Sequence, residues 1–127
     1  MLRGFDVTLD CFSHNSGATL FDSLWLGAPF VTLAGRLSVG RLGAAILAAV
    51  DHPEWIAASE AKYVEKAVAL AADAPRLAEI KAALRDDVRA SPLSDEVGFA
   101  RAVDASYGAM WRRWCAGLPA SDLTIAP

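Results

Sequence analysis

Phe5-Asp6-Val7-Thr8-Leu9-Asp10, Asn15-Ser16-Gly17-Ala18-Thr19, Leu20 to Trp25, and Pro29-Phe30-Val31-Thr32-Leu33 follow one another between Phe5 and Gly35. The first block reads as a buried strand. The second is a small-residue turn opening a helix that Gly27 stops, and the last is a second buried strand closed by Ala34-Gly35. Strand, turn, helix and strand in that order predict a parallel β-α-β unit. Such units receive anionic ligands at the turn after the first strand, where the backbone can approach a phosphate and the helix start offers free N–H groups and a positive dipole end. The same pattern also describes a plain strand-to-helix connection, so on its own it leaves both readings open.

The remaining sequence is helical. Ser38 to Val50 predicts a helix burying Val39, Leu42, Ile46, Ala49 and Val50, which Asp51-His52-Pro53 ends. Trp55-Ile56-Ala57 is a short apolar insert suited to a brief edge strand. Ser59 is placed to cap a helix to about Ala72, with Tyr63, Val64, Ala67, Val68 and Ala71 on one face. Pro75 suits the first turn of another helix, carrying Leu77, Ile80, Leu84 and Val88. A last helix, Asp95 to Ala116, sets Val103, Tyr107, Met110 and Trp114 three or four residues apart, a stripe that should pack on something large. Gly117 stops it, and 118–127 reads as a loose tail.

A chain of 127 residues is one domain, here drawn as 1–117 plus the tail. No apolar run approaches the roughly 20 residues of a membrane span, and no signal peptide begins at Arg3. Two cysteines, Cys11 and Cys115, make no disulfide framework and suit a reducing, cytoplasmic setting. A net charge of −3 with scattered basic residues argues against nucleic acid as the partner. Trp111 and Trp114 read as core anchors, with Arg112 and Arg113 solvated. Cys11 and His14 alone are too few ligands for zinc. No Ser-His-Asp order or P-loop occurs.

Two strands are too few for an independent parallel sheet, which needs neighbours on both edges. The expected fold is therefore α/β, a partial Rossmann-like lobe with two parallel strands and several following helices. Either an earlier lobe or a partner chain would cover the open sheet edge. Around the turn the candidate residues each have two readings. Asp22 could bond a ribose hydroxyl or be a first-turn acid favoured by the dipole. Asp10 is more readily a cap of the turn than a ligand contact. His14 could contact phosphate or be solvated. Arg36 and Arg41 flank the loop after the second strand, as a phosphate-facing rim or as surface ion pairs.

Larger blocks are more specific. Asp6-Val7-Thr8-Leu9-Asp10 and Leu24-Trp25-Leu26-Gly27-Ala28-Pro29-Phe30-Val31-Thr32-Leu33-Ala34-Gly35-Arg36 are followed by Arg41-Leu42-Gly43-Ala44, Trp55-Ile56-Ala57, Tyr63-Val64, Ser91-Pro92-Leu93 and Met110-Trp111-Arg112-Arg113-Trp114-Cys115-Ala116-Gly117. Together they resemble the O-linked N-acetylglucosamine transferase family, its bacterial, SPINDLY-like members in particular, from about Phe5 to Gly117. The resemblance implies two Rossmann-like lobes (the GT-B arrangement), often preceded by tetratricopeptide repeats. It implies inverting transfer of a sugar from a nucleotide diphosphate donor to protein Ser or Thr hydroxyls, with no metal or other cofactor. The donor is typically UDP-N-acetylglucosamine, although plant SPINDLY proteins use GDP-fucose. This chain looks like the end of the donor-binding lobe plus the terminal helices, inactive alone. An alternative is a non-catalytic interaction module built on that fold, and a third is a small α-rich structural domain.

Carried over by position, the family's diphosphate turn falls on Ser16, Gly17, Ala18 and Thr19, and its ribose-contacting aspartate on Asp22. His14, Arg36 and Arg41 would form the rim. The family's usual Gly-His-Thr-Thr is altered here: Gly17 stands where the histidine often stands, and Ala18 replaces the first threonine. Each lost polar contact is worth about 1–3 kcal/mol, so much of the donor affinity would rest on backbone N–H groups.

Overall fold

The computed structural model describes residues 4–123. They form two compact units, one ending at Ser94 and the other beginning at Asp95. The first holds a three-stranded parallel sheet in the order β1 (Thr8–Leu9), β2 (Phe30–Leu33), β3 (Ile56–Ala57), with Thr8 opposite Phe30 and Thr32 opposite Ile56. The α/β class and the parallel pair stand. The third strand is the short one expected at Ile56-Ala57, and it puts β2 in the centre.

β2 alternates as a central strand must. Phe30, fully buried, joins the cluster of Leu20, Leu24, Ile46, Leu47, Leu84 and Val88 on one face of the sheet. Val31 turns to the opposite face, against Ala57 and Tyr63. The first cluster is supplied by α1 (Ala18–Trp25), α2 (Leu42–Ala49) and α4 (Ala74–Ala90), the second by α3 (Glu60–Ala72). The sheet is thus covered on both faces, as parallel strands require.

Local chemistry explains most boundaries. Gly27 ends α1 at φ 80°, and a Cβ there would meet the Lys81 carbonyl oxygen at 2.9 Å. Ser59 caps α3 by accepting the Lys62 N–H at 3.3 Å, and Asp73 caps α4 through the Arg76 N–H at 3.0 Å, with Pro75 in the first turn. His52 stacks on Trp55 with centroids 4.3 Å apart. Its two ring nitrogens face Glu54 and Asp87 at 2.9 and 3.2 Å, tying the link into β3 to α4.

Two expected element boundaries change. The strand expected over Phe5–Asp10 is paired only at Thr8–Leu9, and Phe5 and Leu9 are 57% and 58% exposed, because β1 is the sheet's outer strand. The helix expected from Ser38 begins as a 3₁₀ turn, Ser38–Gly40, so α2 starts at Leu42, with Val39 and Leu42 exposed. Gly35 donates to the Gly40 carbonyl at 2.7 Å and folds the loop tightly there.

The second unit is α5 (Glu96–Cys115) and the segment after it, stopped at Gly117, φ 67°. None of the helix's residues is buried, and Trp111 and Trp114 are 66% and 75% exposed. Within this unit they are not core anchors. An amphipathic stripe states that a helix can bury one face, and within this unit only the following segment, through Arg113 to the Pro119 carbonyl, lies beside it.

Candidate functional site

The turn between β1 and α1 is fastened from beneath. Asp10, only 2% exposed, ends β1 and sends one carboxylate oxygen to the Ser16 N–H at 2.9 Å. The other oxygen accepts the Thr32 hydroxyl of β2 at 2.7 Å. Asn15, 4% exposed, donates to the Cys11 carbonyl at 3.0 Å and accepts the Gly43 N–H of α2 at 3.3 Å. Tyr63 of α3 donates its hydroxyl to the Asp10 carbonyl at 2.8 Å. Burial first, then the nearby Asp10 and Cys11 charges, raises the Tyr63 phenol above its ordinary value of 10.0, which keeps it a donor. Asp10 therefore caps the turn and does not face a ligand. Thr32, Gly43 and Tyr63 were not marked by the sequence as site residues. No local motif signals them, since each meets the turn from 20 or more residues away.

Above this base, α1 starts at Ala18 without a side-chain cap and with no acid in its first turn. The Gly17 carbonyl takes the Leu20 and Phe21 N–H groups. The N–H groups of Gly17, Ala18 and Thr19 find no acceptor among the described residues. Ala18 and Thr19 are exposed, and Ser16 and Gly17 partly so. Three unpaired donors at the positive end of a helix, on the carboxyl side of a parallel sheet, are suited to an anion. A Cβ on Gly17 would meet Leu42 Cδ2 at 3.1 Å.

Leu42 in turn lines a hollow of 390 Å³ with Arg36, Ser38, Arg41 and Ala45, so both arginines stand on one side of the turn. Both are exposed, and neither is ion-paired among the described residues. A second crevice of 420 Å³, not anticipated from sequence, opens at the ends of β2 and β3 between Phe12, Ser13, Gly35, Ser59 and Glu60. Asp22 and Thr19 border neither hollow and stand on open surface. His14 is exposed, and only its carbonyl is engaged, by the Cys11 thiol at 3.0 Å. Among the described residues no three His, Cys, Asp or Glu side chains gather as a metal site.

The fold is α/β, with a parallel β-α-β unit whose unpaired helix-start donors, with arginines beside them, are an arrangement suited to an anionic ligand. The model of glycosyl transferase family 41 matches residues 3–103, and the chain belongs to that family. A probable UDP-N-acetylglucosamine–peptide N-acetylglucosaminyltransferase SPINDLY of Oryza sativa subsp. japonica is 38% identical over 112 residues, 88% of this chain and 12% of the relative. The UDP-N-acetylglucosamine–peptide N-acetylglucosaminyltransferase of Caenorhabditis elegans is 33% identical over 94% of this chain and 10% of its own length. Among solved structures, the K341M mutant of Thermobaculum terrenum O-GlcNAc transferase superposes with a TM-score of 0.80 at 30% identity, over 89% of this chain and 22% of that one. The chain thus spans about a tenth of the curated relatives' length.

Proposed function

We propose that this chain contributes the donor-diphosphate site of a protein O-glycosyltransferase that moves a sugar, N-acetylglucosamine by the names of its relatives, onto Ser or Thr hydroxyls. The observation that carries the reading is the start of α1: three N–H groups with no acceptor among the described residues, on a chain of family 41. In this reading Ser16, Gly17, Ala18 and Thr19 receive the diphosphate, Asp22 the ribose, and Arg36, Arg41 and His14 form the rim. Helix dipole and guanidinium groups, with no metal or other cofactor, would meet the charge that develops on the leaving diphosphate. The in-line placing of the acceptor hydroxyl falls to a preceding lobe, so the chain alone is expected to bind donor weakly and turn nothing over.

The open edge of β1 belongs to the same reading. Thr8 and Asp10 donate to β2, so the peptide groups of Leu9 between them face away from the sheet. We place a further strand there, from an earlier lobe of the same polypeptide or from a partner chain. Free, exposed Cys11 and Cys115 suit a reducing, cytoplasmic setting. No helix among the described residues is long and apolar enough to cross a membrane.

Calorimetry with UDP tests the assignment, on this chain and on a protein carrying both lobes. The two-lobe protein should bind, and Asp22→Ala should weaken binding about tenfold. Absence of heat, or indifference to Asp22→Ala, would count against it.

One observation favours the second reading, an interaction module that has left catalysis. A Cβ at position 17 would sit 3.1 Å from Leu42 Cδ2, so a histidine there requires that exposed side chain to shift. Gly17→His combined with Ala18→Thr should raise UDP affinity in an enzyme lineage and change nothing in a scaffold.

A further inference from the structure

Gly17 and Ala18 carry no polar side chain to grip an anion, so affinity at these positions depends on how firmly the backbone is held. Free donors bind well only if they are already in place, because ordering them on binding consumes the gain. The contacts beneath the turn come from three directions: Thr32 on β2, Gly43 on α2 and Tyr63 on α3. They converge on Asp10 and Asn15, and through them on Ser16 and Cys11. Ser16 is the residue before the first unpaired N–H.

Asp10 is a charge in the interior, which is costly without compensation. Its oxygens are met by the Ser16 N–H and the Thr32 hydroxyl. The first turn of α2 lies against it, since a Cβ on Gly43 would come within 2.6 Å of Oδ2. The positive end of α2 therefore faces the carboxylate. Glycine at 43 is what lets helix and carboxylate approach.

We infer that Asp10, Asn15 and Thr32 are positioning residues that hold the turn so that the Gly17, Ala18 and Thr19 N–H groups form a preset anion cradle. This rests on the donor-site reading above.

Thr32→Val removes the hydroxyl with little change of shape, whereas Asp10→Asn keeps an acceptor for Ser16 and a partner for Thr32. The readouts are amide hydrogen exchange at Ser16 to Thr19, with Leu47 as a core reference, and titration with pyrophosphate. Thr32→Val should speed exchange across Ser16 to Thr19 about tenfold and leave Leu47 unchanged. It should weaken pyrophosphate about fivefold, and Asp10→Asn, which loses the carboxylate but keeps both partners, should shift both readouts in the same direction by a smaller factor. Should Thr32→Val fail to fold, Asn15→Ala carries the same test. Unchanged exchange at the turn overturns the inference. So does equal pyrophosphate affinity in parent and Thr32→Val, which would leave the donor-site reading standing. A parent that binds no pyrophosphate overturns the donor-site reading and the cradle with it, even where the exchange rates show the turn held.

Discussion

At the scale of single residues, Gly43 and Tyr63 are where the fold is least forgiving. A methyl group on Gly43 would sit 2.5 Å from Thr32 Oγ1 and 2.6 Å from Asp10 Oδ2, neither of which has room to retreat. Gly43→Ala should cost about 1–3 kcal/mol of stability, measured by urea denaturation. Tyr63 gives a test by pH. Its phenol titrates higher in the folded chain than in the unfolded one, so its contribution is full below the unfolded value near 10 and is lost as pH rises through the folded value. The denaturation midpoint should therefore fall more steeply above about pH 10 in the parent than in Tyr63→Phe.

Among the elements, α3 depends on its first turn. Ser59→Ala removes the cap on the Lys62 N–H and should cost about 0.5–2 kcal/mol, read from the thermal midpoint. That cap was legible in the sequence, as were the stops at Gly27 and Gly117 and the proline in α4, because each is set by neighbours within a few residues. β2 was legible too, as an apolar run too short for a helix. The base of the turn was not. Asp10 finds Thr32 across 22 positions, and Asn15 finds Gly43 across 28, contacts that exist only once the strands are paired. Asp10 could be assigned to capping, but the partners that make it a rigid cap could not be named. The length of β1 was misjudged for a related reason: an apolar strand at the rim and one in the middle read alike.

For the whole molecule, the contrast is between a well-packed unit ending at Ser94 and a helix that buries none of its large side chains within its own unit. Leu24, fully buried, should cost about 2–5 kcal/mol as Leu24→Ala. Trp111→Ala with Trp114→Ala should cost less than about 0.5 kcal/mol in this chain, because neither ring is buried. Circular dichroism during denaturation separates the two cases. The periodicity of α5 announced an apolar face correctly, and periodicity carries no information on what covers such a face.

The brevity of β1 has one more consequence. Two paired residues hold too little apolar contrast to choose their alignment, and sliding by a single position would exchange the sides that Thr8 and Leu9 present. Polar groups make the choice. The Thr8 hydroxyl meets that of Ser23 at 2.6 Å, and Asp10 reaches Ser16 and Thr32 only in the observed alignment. A slipped strand would press Leu9 against a serine and strand a carboxylate, so the outermost strand is kept in step by hydroxyls and one acid.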